Sequence, residues 1–146
     1  MREITFRGKR ADNGEWVFGD YSRYSKDKSI IMVDLLEQEC YWVPSETVGQ
    51  YTGLKDKDWV GIYEGDIVHL TSDEGVNYNA LIVFEDGGFC AIDGTESNYS
   101  IRRYGLSRFD FNLEVIGNIY DNPELMEGEC PQILQSCGQS IDWSEV

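Results

Sequence analysis

Between Ala80 and Ile92 two short apolar runs face each other across a tight reversal. Ala80-Leu-Ile-Val-Phe84 and Phe89-Cys-Ala-Ile92 flank Glu85-Asp-Gly-Gly88. Runs of four or five residues rich in Val, Ile and Phe are too short for a stable helix and suit strands. A two-residue turn between them needs positive φ angles, which Gly87 and Gly88 supply. This hairpin commits the middle of the chain to an antiparallel sheet, and the rest of the sequence repeats the pattern. Asp66-Ile-Val-His-Leu-Thr71 alternates, with Val68 and Leu70 on one face and Ile67 and His69 on the other. In Leu113–Tyr120 the alternation puts Leu113, Val115 and Ile119 inward and Glu114 and Asn118 outward. Further back, Arg2–Arg7 alternates, Asp12-Asn-Gly14 signals a turn, and Trp16–Tyr21 is the partner strand. Ser29–Leu36 and Cys40–Val43 are two more strands, the second closed by Pro44. Ser45–Gly49 is a single turn or the lead into the next strand. Asn122-Pro-Glu-Leu-Met-Glu127 suits a short helix or clamp, with Asn122 capping and Pro123 in its first turn.

Short strands at this spacing predict an all-β fold, because closing a small sheet removes its exposed edges. The expected organisation is an N-terminal β unit over residues 1–52 and a small SH3-like barrel over 53–127. An acidic tail follows over 128–146, with a brief helix near Gln132–Cys137. At 146 residues such a chain buries enough surface to be stable by itself.

Charge is the strongest compositional signal. Twenty-seven acidic residues oppose 12 basic ones, a net charge of −15. Residues 1–30 are net +2, and from Phe109 onward there are eight acids and no Lys or Arg. Such a body repels phosphate backbones and attracts basic partners. The start has no apolar signal region, and no run reaches the length of a membrane span. The expected setting is therefore cytoplasmic, away from membranes, with Cys40, Cys90, Cys130 and Cys137 as reduced thiols. Their spacing, with His69 added, makes no four-ligand zinc set. No nucleophile elbow, phosphate loop or dinucleotide fingerprint is present, so no cofactor is expected.

Three blocks carry a family resemblance. The first is Arg2–Arg10 with Asn13-Gly-Glu-Trp-Val17. The second, and the specific one, is Gln50-Tyr-Thr-Gly-Leu-Lys-Asp-Lys57 followed by Ile62-Tyr-Glu-Gly-Asp-Ile-Val68. The third is Glu114–Tyr120 with Asn122-Pro-Glu-Leu125. In this order the chain resembles the YopX family of phage and prophage proteins. The resemblance implies a mainly β fold with a small SH3-like barrel and a mobile-element origin, and it carries over no catalytic residues. One departure is visible: Asp58-Trp-Val-Gly61 replaces the family's Asn-Gly turn, so the turn is expected around Gly61 with Trp59 partly exposed.

The motif residues Tyr51, Gly53, Tyr63, Glu64, Gly65 and Asp66 have a structural explanation. The tyrosines suit a barrel mouth. Gly53, Gly61 and Gly65 suit strand ends needing permissive angles. Carboxylates in a Glu-Gly-Asp turn most often cap backbone N–H groups, although two acids on one strand face are also a metal or acid–base pair. A single-strand nucleic-acid platform is the second candidate. Lys9, Arg10, Trp16, Tyr21 and Arg23 interleave cations with rings, as such platforms do. The expected function is an accessory module, not an enzyme, that binds a basic host or phage protein through its acidic surface. A nucleic-acid binder ranks second and a metal-dependent enzyme third. Homo-oligomers are compatible with exposed sheet edges.

Overall fold

A computed structural model of the chain describes residues 2–71, 75, 77–93, 102–105 and 112–126. The chain divides into two compact units, Met1–Leu54 and Lys55–Val146. Among the described residues both are built of antiparallel strands, with short 3₁₀ turns at Ser45–Thr47 and Pro123–Met126 and no α-helix. The expectation of an all-β chain holds. The expected tail and its brief helix, with Cys130 and Cys137, lie outside the described residues.

The first unit contains β1 (Phe6–Lys9), β2 (Trp16–Arg23), β3 (Lys28–Asp34), β4 (Glu39–Pro44) and β5 (Gly49–Lys55). They lie in the order β4-β3-β2-β1-β5. The turn at Asp12-Asn-Gly14 forms as expected: Gly14 has φ 74°, and its N–H donates to the Arg10 carbonyl at 2.9 Å. That turn aligns Lys9 with Trp16 and Phe6 with Gly19. The first strand is consequently shorter and later than the alternation from Arg2 suggested, and Ile4 is exposed. Beyond Gly19, β2 leaves β1 and pairs with β3, beginning at Asp20 opposite Met32. Gly19 permits this change of partner because a Cβ there would sit on the Met32 carbonyl. The sheet curls until Gly8 lies against Val43, where a Cβ would come within 2.9 Å of a valine methyl. Ile31, Val43 and Ser29 are fully buried. Ser29 is satisfied by a 2.8 Å hydroxyl bond with Ser45.

The second unit contains β6 (Gly61–Tyr63), β7 (Asp66–Thr71), β8 (Asn77–Glu85), β9 (Gly88–Asp93), β10 (Arg102–Gly105) and β11 (Asn112–Asn118). The last five form a sheet in the order β10-β9-β8-β7-β11, so the final strand returns beside the first of a four-strand meander. The β8–β9 hairpin closes as Glu85 opposite Gly88. Its two positive φ angles belong to Asp86 (51°) and Gly87 (81°), one residue earlier than expected. Pairing Glu85 with Gly88 makes Asp86-Gly87 the two-residue loop, a pair suited to a type I′ turn, and leaves Gly88 as the first residue of β9.

Both faces of this sheet are apolar, and alternation sorts the residues between them. One cluster joins Ile62, Val68, Leu70, Ala80, Ile82, Ala91 and Leu113. The other joins Ile67, Leu81, Ile92, Ile119 and Met126. Leu113 and Ile119 were expected on one face but fall in different clusters. A β-bulge between Val115 and Gly117 shifts the register and reverses the phase of β11 beyond it. The turn Pro123–Met126 then closes the second cluster with Met126 and Leu125. Asn122 stands at the head of this turn, where its carbonyl accepts the Leu125 N–H at 3.1 Å. Its Oδ1 accepts the Asn118 N–H at 3.3 Å, tying the turn back to the strand.

Candidate functional site

The family motif resolves into two carboxylate-centred turns within the second unit. The first is centred on Asp56, which sequence reasoning passed over. Its Oδ1 accepts the N–H groups of Asp58 (2.8 Å) and Val60 (2.9 Å), and its Oδ2 accepts that of Val115 (2.9 Å). Burial of this carboxylate works to raise its pKa. The bonds from Val115, Val60 and Asp58, with Lys57 nearby, outweigh burial and hold it below the usual aspartate range. The turn expected around Gly61 is therefore organised around Asp56. Gly61 opens β6, and the positive φ falls on Trp59 at 65°. Trp59 is 79% exposed, with the Lys55 ammonium 5.4 Å from its ring centroid. The signal that locates this site is an Asx arrangement: an Asp followed by backbone donors two and four residues on.

The second turn is Glu64-Gly65. Gly65 has φ 93°, donates to the Ile82 carbonyl at 2.8 Å and accepts from Ile119 at 2.9 Å. Asp66 is buried, and its Oδ2 accepts the Tyr63 N–H at 2.7 Å. This is the capping role expected of an acid in such a turn. Gly53 has φ 87°, as its place in the motif requires. Tyr51 lies on β5 in the first unit, buried, with its N–H on the Thr5 carbonyl at 2.8 Å. Tyr63 ends β6 in the second unit. The two tyrosines therefore stand on different units.

The five residues considered for nucleic acid separate into three places. Lys9 and Trp16 are register partners on one sheet face, with the ammonium 5.8 Å from the ring centroid. Arg7, buried on the same face, places its guanidinium 4.6 Å from that centroid. Tyr21 and Arg23 alternate onto the opposite face, where Tyr21 meets Phe6 at 5.3 Å. Arg10 is in the hairpin turn. Its guanidinium is ion-paired with Asp12 at 2.7 Å and lies 4.1 Å from the Tyr41 ring centroid. The shared hydrogen bond raises the Arg10 pKa and lowers that of Asp12.

His69 lies on β7 opposite Asn79, on the face away from Val68 and Leu70. Its Nδ1 is 2.9 Å from Asn79 Oδ1, and its Nε2 is 3.2 Å from Asn77 Oδ1. Asn79 also donates to the Leu125 carbonyl at 3.0 Å, so this polar ladder fastens the Pro123–Met126 turn to the sheet. Among the described residues no three His, Cys, Asp or Glu side chains converge as a metal site. Cys40 is an exposed thiol, and the Cys90 thiol donates to Glu85 Oε2 at 3.9 Å. No helix among the described residues is long and apolar enough to cross a membrane.

A further feature, not anticipated from sequence, lies in the first unit. A cleft of about 360 Å³ is lined by Ala11, Asp27, Lys28, Trp42, Val43 and Pro44. Tyr24 stands edge-on to Trp42, ring centroids 5.3 Å apart.

Comparison with known proteins places this geometry. The family model described as "YopX protein" matches residues 5–127. Over 69 residues the chain is 36% identical to the SPbeta prophage-derived uncharacterized protein YopX of Bacillus subtilis (strain 168). That match covers 46% of this chain and 51% of the relative, so the chain spans about half the length of the curated protein it matches. The crystal structure of protein EF1440 from Enterococcus faecalis is similar in fold, with a TM-score of 0.52 and 23% identity. It is matched over 87% of this chain and 100% of that one.

Proposed function

Because the chain belongs to the YopX family, we propose that it is a prophage-encoded accessory module that binds a basic protein partner through the acidic surface of its second unit. The observation that carries this reading is the distribution of charge. Residues 55–146 contain 18 acidic and five basic residues, a net of −13, whereas residues 1–54 are net −2. The buried acids Asp56 and Asp66 are occupied with backbone N–H groups. Asp58, Asp86, Asp121 and Glu124 are exposed and carry their charge to solvent. A field of one sign steers oppositely charged partners and is screened by salt. The return of β11 to β7 is the pairing a five-stranded SH3-like barrel uses, and we read the second unit as such a barrel.

The test is retention of a partner purified after capture from bacterial host lysate. Retention should fall steeply between about 50 and 300 mM salt, as the screening length shortens. It should be lost when Asp58, Asp121 and Glu124 are replaced together by Lys. Retention indifferent to both salt and charge reversal refutes the reading. A second reading, single-stranded nucleic acid on the first unit, draws on the two cations beside Trp16. It requires that Lys9→Ala or Trp16→Ala abolish oligonucleotide retention in a low-salt gel shift. A wild-type protein that retains no oligonucleotide removes it.

A further inference from the structure

The chain has a single histidine, and both nitrogens of its ring meet the same kind of atom. On β7, His69 Nδ1 is 2.9 Å from Asn79 Oδ1, and Nε2 is 3.2 Å from Asn77 Oδ1. The orientation of each asparagine is set by its other end. Asn79 Nδ2 donates to the Leu125 carbonyl at 3.0 Å, and Asn77 Nδ2 donates to the Gly75 carbonyl at 3.2 Å. The Thr71 hydroxyl also donates to Asn77 Oδ1, at 3.1 Å. Turning either amide over would set its oxygen against a backbone carbonyl, so both oxygens face the ring.

An amide oxygen only accepts, and a neutral imidazole carries one N–H. A neutral His69 satisfies one asparagine and turns a lone pair toward the other. The imidazolium donates to both, and bonds from a charged donor are roughly twice as strong as neutral ones. Charge around the half-buried ring favours the same form. Glu114 is the cross-strand partner of His69 on β11, and Lys57 lies 3.6 Å from the Glu114 carboxylate and offsets part of its field. On β8 the ring faces Asn77 and Asn79, both uncharged. Glu124, exposed, is the ionisable residue of the Pro123–Met126 turn. Asn79 carries the effect to that turn. Hydrogen bonds in series polarise one another, so a charged donor on its oxygen strengthens the bond from its Nδ2 to Leu125. Leu125 and Met126 in turn pack on the second cluster.

We propose that His69 is a proton-operated clasp. As an imidazolium it holds both asparagine oxygens and fixes the β7–β8 pair to the Pro123–Met126 turn; as a neutral ring it releases one of them. The folded arrangement binds the second proton more tightly than the unfolded chain does. The stability it lends is therefore full in mild acid and is lost as pH rises through the range in which imidazoles titrate, about pH 6–8. The clasp works within the second unit, whatever the acidic surface of that unit binds.

The test is an NMR titration of the full chain, in which the imidazole signals are unambiguous because there is one histidine. The ring should bind its second proton about tenfold more tightly in the folded chain than in the same chain unfolded in urea, the scale of one charge-assisted hydrogen bond gained over a neutral one. The side-chain amide resonances of Asn77 and Asn79 should move in step with the ring. Asn77→Ala and Asn79→Ala should each bring the proton affinity most of the way back to that of the unfolded chain. A clasp also predicts that wild type exceeds His69→Gln in urea stability at about pH 5.5 and loses that margin by about pH 8.5. Protection of the Leu125 amide from hydrogen exchange should follow the same margin. The wild-type titration stands by itself if a variant fails to fold. A proton affinity equal to or below that of the unfolded chain, asparagine amides indifferent to the ring's titration, or a margin over His69→Gln that is the same at both pH values overturns the proposal. Those outcomes leave the acidic-surface reading standing, since salt dependence and charge reversal measure it separately.

Discussion

Replacing Asp56 by Asn changes one atom and one charge, and the structure lets its cost be worked out. The wild-type carboxylate accepts three backbone N–H groups at 2.8–2.9 Å. Hydrogen bonds to a charged acceptor contribute about 1.5–3 kcal/mol each. The amides of Asp58 and Val60 belong to exposed residues, so water replaces part of what they lose. Val115 is half-buried on β11, and there the new amide group presents a donor to a donor. The expected loss is about 2–3 kcal/mol for Asp56→Asn and about 3–5 kcal/mol for Asp56→Ala. Urea unfolding followed by far-UV circular dichroism should show the Asn variant's midpoint lower by about 1–2 M.

The pH dependence supplies a second check. The folded state holds the Asp56 pKa below its unfolded value. Stability from the carboxylate is therefore complete above the unfolded aspartate value of about 3.9 and is lost as pH falls through the lower folded value. The gap between wild type and Asp56→Asn should be full at pH 7 and close in strong acid. A gap under about 0.5 kcal/mol at neutral pH, or one that persists undiminished to about pH 2, refutes the argument that the charge organises this turn.

Gly19→Ala should cost about 2–4 kcal/mol in chemical denaturation, because the added carbon meets the Met32 backbone carbonyl and not a movable side chain. A variant as stable as wild type would mean that β2 does not bend as described. Met126→Ala should cost about 2–4 kcal/mol by emptying the second cluster under the Pro123–Met126 turn. Hydrogen exchange at Ile119 should rise with it, and unchanged protection there would show the turn to be dispensable. Asp66→Ala should cost about 1–3 kcal/mol through the unsatisfied Tyr63 N–H. The loss should be the same with and without added Mg²⁺ in thermal melts. A Mg²⁺-dependent stabilisation seen only in wild type would restore a metal role for this acid.

Much of the fold is written locally. Alternation sorts Val68 and Leu70 from Ile67 and His69 without any knowledge of partners, because side chains on a strand point to opposite faces in turn. The reversal at Glu85–Gly88, the turn at Asp12–Gly14 and the positive φ of Gly53 and Gly65 follow from residue chemistry over three or four positions. The capping role of Asp66 is of the same kind. What the sequence does not reveal is contact over distance. A bulge at Val115–Gly117 depends on how β11 meets β7, and it moves Ile119 to the other face, against the alternation read from Leu113. The third donor to Asp56 comes from Val115, a residue 59 positions away, and makes a turn acid into a link between a loop and a strand. Trp42, Val43 and Ala11 line one cleft because a curled sheet brings β4 to the first hairpin, and no local pattern announces that meeting. Periodicity decides which way each side chain points. Only the closing of the sheets decides what it points at, since that depends on free energies summed over segments far apart in the chain.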